Sequence, residues 1–187
     1  MNKAIGMVEY KTVSSGIRAT DLMIKTSNIE VIQSSVVCPG KYVTIVTGDL
    51  SSVNAAVEAA EAQLGEMLTD RFVLGNPDDN IFPAIYGGVP VEGAKALGVL
   101  ETFSVPSAIV AADAAAKTSD VTLVEIRLAR GMGGKSFILL TGDVAAVSAA
   151  IEHAAATVGD SGMVLDTAVI PIPTRASGPA SFNGASG

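Results

Sequence analysis

The chain carries one cysteine, Cys38, and one histidine, His153, so its scope for side-chain chemistry is narrow. A single Cys excludes an internal disulfide and a four-Cys metal site within one chain. One His without a second Cys also argues against a self-contained zinc site. Cys38 lies in Val36-Val37-Cys38-Pro39-Gly40-Lys41, where the Pro-Gly pair marks a tight turn. On the residue alone the inert reading leads, because a lone Cys ordinarily behaves as a small hydrophobe. A second segment, Arg130 to Ser136, resembles a phosphate loop at first sight. The G-x-x-x-x-G-K-[ST] pattern needs Gly where this chain has Ala129, and it should open a helix rather than join two strands. Nucleotide binding is rejected there. No carboxylate, His or Cys forms a recognisable nucleophile–base pair or metal cage, which makes an enzyme the weakest reading.

Composition narrows the classes further. The 187 residues are 49% hydrophobic but only 4% aromatic, with no Trp, and mean hydropathy is +0.46. Apolar content is therefore mostly Ala, Val, Ile and Leu, side chains suited to thin, closely packed layers. No run approaches the ~20 apolar residues of a spanning helix, and the longest Ala-rich stretch is broken by Asp113 and Lys117. Met1 to Lys11 lacks a signal-peptide layout. These features predict a cytoplasmic protein without a membrane partner. The net charge of −7, without a basic cluster, excludes the footprint that nucleic acid requires.

The residues are positioned by an internal repeat, which a search for self-similarity reveals. Residues 4–28 match residues 96–120 at 11 of 25 positions, with Ala4-Ile5-Gly6-Met7-Val8-Glu9 recurring as Ala96-Leu97-Gly98-Val99-Leu100-Glu101. After a two-residue insertion, residues 41–66 match 135–160 at 11 of 26 positions. Thr47-Gly48-Asp49 recurs there as Thr141-Gly142-Asp143. The chain is a duplication. Each copy, at roughly 90 residues, buries only a modest core alone, so a homo-oligomer is expected.

Each copy reads in the same order. Ala4 to Tyr10 is a short apolar strand, and Ser15 to Ser27 places Ala19, Leu22, Met23 and Thr26 at the spacing of one helix face. Ile29 to Val37 and Tyr42 to Thr47 are β-branched runs flanking the Cys38 turn. Asp49, Ser51 or Ser52 is expected to cap a second helix through a side-chain oxygen; its inner face carries Val53, Val57, Ala60 and Leu64. Arg71 to Leu74 is a closing strand. In the second copy Pro106 stands at a helix start. Val121 to Leu128 and Phe137 to Thr141 are the inner strands. Val144, Val147, Ile151, Ala154 and Val158 are expected to face inward, and Thr167 to Ile172 is the last strand. The β-α-β-β-α-β order predicts an α/β (α+β) fold: two tandem ferredoxin-like domains, each an antiparallel sheet with helices on one side. The first domain is placed at 1–77 and the second at 94–173. A linker with a short helix near Ile81 to Ile85 is placed at 78–93, and a mobile Ser/Gly tail at 174–187.

The A-[IL]-G-x-[VL]-E strand, the D-x-x-x-K-[ST] helix end and the GK-to-GD[LV] segment (GDV in the second copy), each present twice, resemble bacterial microcompartment (BMC) shell domains. The resemblance covers nearly the whole chain to Pro173 and extends to the tandem class. It implies two fused domains that assemble as a homotrimer, a pseudohexameric tile beside other shell proteins in the compartment wall. Because each unit starts with its own A-x-G-x-x-E strand, the unpermuted order fits better than the permuted one. Within the class, the Cys38 segment and Gly131-Met132-Gly133-Gly134-Lys135 are similar to the pore loops of the iron–sulfur shell proteins of propanediol-utilisation microcompartments.

That likeness implies that Pro39, Gly40, Gly131, Met132, Gly133 and Gly134 line a central pore. It further implies that three copies of Cys38 hold one [4Fe–4S] cluster per trimer, with an encapsulated redox enzyme as candidate partner. Such clusters ordinarily take four Cys, so one iron is left to a non-protein ligand. Two readings stay open beside it: a tile whose pore passes a small metabolite, and a ferredoxin-like sensor that forms no shell. Lys25 and Lys117 end equivalent helices, where a cation suits the helix dipole; the resemblance adds a place at tile edges. Asp21 and Asp113 stand at ion-pairing spacing from them. Glu9 and Glu101 are expected at subunit contacts, and His153, opposite Ala59 in the repeat, on a solvated face.

Overall fold

A computed structural model of the chain describes residues 4–87, 89, 91 and 93–172. The expected tail at 174–187 lies outside them. The first unit runs β1 (Ala4–Tyr10), α1 (Val13–Thr26), β2 (Glu30–Val37), β3 (Lys41–Gly48), α2 (Leu50–Leu64), a 3-10 turn (Gly65–Met67) and β4 (Leu68–Leu74). A short helix, α3 (Ile81–Tyr86), precedes the second unit. That unit runs β5 (Ala96–Thr102), α4 (Val105–Thr118), β6 (Val121–Arg127), β7 (Ser136–Gly142), α5 (Val144–Gly159) and β8 (Val164–Pro171). The sheets have the orders β2-β3-β1-β4 and β6-β7-β5-β8, with every neighbouring pair antiparallel. This is the split βαβ arrangement expected from the repeat.

Local rules account for where the elements begin. Helix α1 starts at Val13, two residues before the expected Ser15, because Thr12 takes extended backbone angles and its hydroxyl accepts from Ser15 N–H. Ser104 does the same for α4, with Pro106 in the first turn. Helix α2 differs from expectation: Asp49 sits at the N-cap, but no side-chain oxygen caps it. Val144 is exposed instead of facing inward, since it occupies the first turn of α5 beyond the edge of the core. Strands β4 and β8 each start three residues earlier than their apolar runs suggested, because pairing with β1 and β5 extends through polar positions to Leu68 and Val164. Strand β6 ends at Arg127, one residue short, where the chain enters a loop.

The glycine in each opening strand sets the distance between sheet and helices. A Cβ on Gly98 would lie 2.7 Å from Leu140 Cδ1 and 2.8 Å from Val147 Cγ1. On Gly6 it would lie 2.6 Å from Val53 Cγ1. Only glycine lets α2 and α5 seat this closely.

Alternating side chains divide each sheet into two faces. Ala4, Val8, Tyr10 and Val46 pack with residues of α1 and α2 in the first unit's own core. The opposite face carries Ile5, Met7, Val43, Ile45 and Phe72, which join a second core with α4 residues such as Ala108, Ile109 and Ala112. The two units are therefore not beads on a string. The back of the first sheet is covered by the first helix of the second unit.

Polar contacts fix that union. Glu9, whose side chain is fully buried, pairs with Lys41 at 2.9 Å and accepts from Val105 N–H at the start of α4 at 3.1 Å. A carboxylate is favoured there by the helix dipole. Beside it, Asp70 Oδ1 accepts from Arg71 N–H at 2.8 Å. Asp70 Oδ2 accepts from the hydroxyls of Ser104 and, at 2.8 Å, Ser107. Burial pushes the Glu9 carboxyl above its ordinary range, against the opposing pull of Lys41 and Val105 N–H. A carboxyl raised in this way binds its proton more tightly when folded. Its contribution favours the fold at low pH and is lost as pH rises through the raised value.

Two outcomes follow for urea unfolding. Gly98→Ala is expected to cost roughly 1–3 kcal/mol, the usual range for overpacking; an unchanged midpoint would show that α5 can shift freely. The stability of the wild type relative to Glu9→Gln should fall as pH rises from about 4.3, the ordinary glutamate value, and level off above the raised one. A wild type that gains stability relative to Glu9→Gln as pH rises across that window would contradict the burial argument.

Candidate functional site

The β2–β3 turn, Cys38 to Gly40, is short because Gly40 takes φ 107° and donates its N–H to Val37 O at 2.9 Å. The Cys38–Pro39 peptide is cis. Cys38 is exposed, and a side chain on Gly40 would meet no atom within 4 Å. The hairpin tip therefore presents a thiol and bare backbone to its surroundings.

The β6–β7 loop is longer, spanning 128–135 against 38–40 in the first unit. It needs left-handed backbone at Ala129 (φ 54°), Gly131 (φ 72°), Gly133 (φ 62°) and Gly134 (φ 89°), conformations that glycine adopts without steric cost. Strand pairing from Tyr10↔Tyr42 and Thr102↔Ser136 carries the 94-residue offset into the loop, so Met132 stands where the first unit has Cys38. Met132 is half-buried, whereas Arg130, Gly131, Gly133 and Lys135 are exposed.

The two tips lie side by side. A Cβ on Gly134 would come within 3.0 Å of Pro39 Cδ and 3.3 Å of Cys38 O, so the absence of a side chain there lets the loops abut. The fold thus brings Cys38, Pro39 and Gly40 together with the Gly131–Gly134 segment, which the sequence separates by about ninety residues. Among the described residues no three His, Cys, Asp or Glu side chains cluster to hold a metal. One chain supplies one thiol, and any shared ligand set needs more copies.

Lys25 and Lys117 lie elsewhere, at the ends of α1 and α4. Each pairs at 2.7 Å with the aspartate four residues before it, Asp21 or Asp113. The resemblance between them stops there. Lys25 is 70% exposed, while Lys117 also donates to Asn76 O at 2.6 Å, and Asp113 Oδ1 accepts from Asp78 N–H at 2.8 Å. Lys117 therefore ties down the segment between the units. His153 is exposed on α5, as expected. Asp70, Ser104 and Ser107 were not anticipated. The usable signal was their repetition as Asp166, Thr12 and Ser15, but the aspartates align only at a third offset of 96 residues, set by the strand register.

The BMC domain family matches residues 4–77 and 96–173. The bacterial microcompartment shell protein PduT of Citrobacter freundii is 38% identical over 173 residues, covering 92% of this chain and 94% of that protein. The crystal structure of a microcompartments protein from Desulfitobacterium hafniense DCB is similar with a TM-score of 0.80 and 41% identity, covering 94% of this chain and 97% of that one. A fused, permuted hexameric shell protein from the RMM microcompartment shares the fold, with a TM-score of 0.65 over 84% of each chain at 22% identity. No helix among the described residues is long and apolar enough to cross a membrane. With two matched domains, each holding the same four-stranded sheet, the chain belongs to the BMC-domain family and is a structural shell subunit of a bacterial microcompartment.

Proposed function

We propose that three copies form a closed, pseudohexameric tile whose six hairpin tips meet at a central pore, and that the three Cys38 thiolates together hold one [4Fe–4S] cluster. The observation carrying this reading is the placement of the thiol: Cys38 is exposed on a tip that abuts the glycine-rich tip of the second unit. The donor set suits the group. A soft thiolate is the ordinary protein ligand of such clusters, and it comes from an open turn. Exposed Arg130 and Lys135 flank the neighbouring tip and offset the negative charge of thiolates gathered there.

When bound, the cluster supplies one-electron transfer across the wall, or is itself delivered there, with an encapsulated redox enzyme as the fitting partner. The chain's own residues do the rest. Cys38 binds, Pro39 and Gly40 shape the turn, and Gly134 admits the adjacent tip.

Anaerobic purification with iron and acid-labile sulfide analysis tests the proposal. The wild-type protein should be brown and carry about four irons per three chains, and Cys38→Ala should lose the colour without losing the oligomer. A colourless trimer that cannot be reconstituted would sink the cluster. It would favour the second reading, a small-metabolite pore.

Lys25 and Lys117 are proposed to act at tile edges, the former more freely because of its exposure. Changing both to Glu should abolish flat sheets or tubes in electron micrographs while leaving discrete tiles. Sheets of normal extent would exclude the edge role.

A further inference from the structure

The two hairpin tips differ in charge as well as in sulfur. Residues 38–40 and 128–135 contain no Asp or Glu, while the second tip carries Arg130 and Lys135. Among the described residues, every other lysine and arginine except Arg18 donates to a carboxylate or a backbone carbonyl. Arg130 and Lys135 do neither, and both are exposed. In a chain of net charge −7, two uncompensated cations on one loop are an exception.

The repeat makes the contrast plain. Lys41, the counterpart of Lys135, pairs with Glu9 at 2.9 Å, so its charge is already balanced. Glu101 repeats Glu9 in the strand register, yet no ion pair joins it to Lys135 among the described residues. The flanking carboxylate of Glu125 is engaged by Arg127 at 2.6 Å. The backbone keeps Lys135 close to the thiol. Its N–H donates to Met132 O at 3.2 Å, and the preceding residue, Gly134, abuts Cys38 O. The first unit thus supplies the sulfur and the second supplies the uncompensated charge.

Resting on the cluster proposed above, we propose that Arg130 and Lys135 raise its reduction potential, so that the cluster serves as an electron acceptor. Three thiolates outweigh the positive charge of the iron–sulfur core, and reduction adds one more negative charge. The electron comes from a reduced one-electron carrier, which is oxidised in turn; no bond breaks and no proton moves. A nearby cation attracts the reduced form more strongly than the oxidised one, and net charge is among the factors that set such potentials. Arg130 and Lys135 touch no reacting atom and act through their field. One exposed charge is screened and acts weakly. Three copies around one cluster multiply the effect.

Mediated redox titration with dithionite, followed by electron paramagnetic resonance on the anaerobically purified full-length protein, tests this. The first measurement is made at about 10 mM salt, where the Debye length is about 30 Å. At the wild-type midpoint, the double variant Arg130→Gln, Lys135→Gln should show a roughly tenfold lower ratio of reduced to oxidised cluster, about 59 mV for a one-electron couple. Lys95→Gln also removes a positive charge from an exposed position, but at the end of β5 opposite Ser136, and it should titrate with the wild type. The difference between wild type and double variant should shrink as salt approaches about 1 M, where the Debye length is about 3 Å. A double variant that titrates with the wild type, or an equal shift in Lys95→Gln, overturns the inference while the cluster stands. If the double variant does not retain the cluster, the wild type alone decides. A reduced fraction that falls as salt rises supports the two cations, and one that holds or rises overturns them. A wild type that carries no cluster overturns both the cluster and this inference.

Discussion

A charge withdrawn from water must find a partner, and in this chain the withdrawn charge is Glu9. Its carboxylate lies between Lys41 of its own sheet and the first N–H of a helix that belongs to the other unit. Both partners are needed, since an ion pair in a poorly solvated place is favourable only when its remaining lone pairs are also satisfied. If the second unit moved away, the carboxylate would lose its bond from the Val105 N–H. Asp70 adds a further restraint, holding two hydroxyls at the same helix start. The apolar contact between α4 and the back of the first sheet supplies area; these carboxylates supply register.

Register is what the hairpin tips depend on. Lys41 closes the Cys38 turn at one end and pairs with Glu9 at the other, so the turn is anchored through the same buried charge that docks the second unit. The glycine-rich tip then arrives beside Pro39 with no space to spare. A change in how the units seat on one another would separate Cys38 from the Gly134 backbone. The contact between the tips and cohesion between the units are thus parts of one arrangement.

Duplication left the copies alike where they pack and unlike at the hairpin tips and helix ends. Glycines at 6 and 98 answer the same need for close helix approach, and the aspartate–lysine pairs on α1 and α4 are retained. Divergence falls on surfaces whose neighbours differ. Cys38 has Met132 as its counterpart, and Lys117 grips the connecting segment while Lys25 stands in solvent.

Most of the fold was legible because periodicity and repetition report on local energetics. Apolar spacing marks a helix face, β-branched runs mark strands, and finding each pattern twice removes coincidence. The boundaries were less legible. Polar residues at the starts of β4 and β8 look like loop until a neighbouring strand pairs with them, and Asp49 looked like a cap whose bond does not form. The sequence by itself determined the duplication, the order of elements, the turn that carries Cys38 and the family these imply. Only the tertiary structure decided that the two tips touch and that Asp70 and Glu9 clasp the second unit. Those relations join residues dozens of positions apart through strand register and burial, which no local pattern encodes.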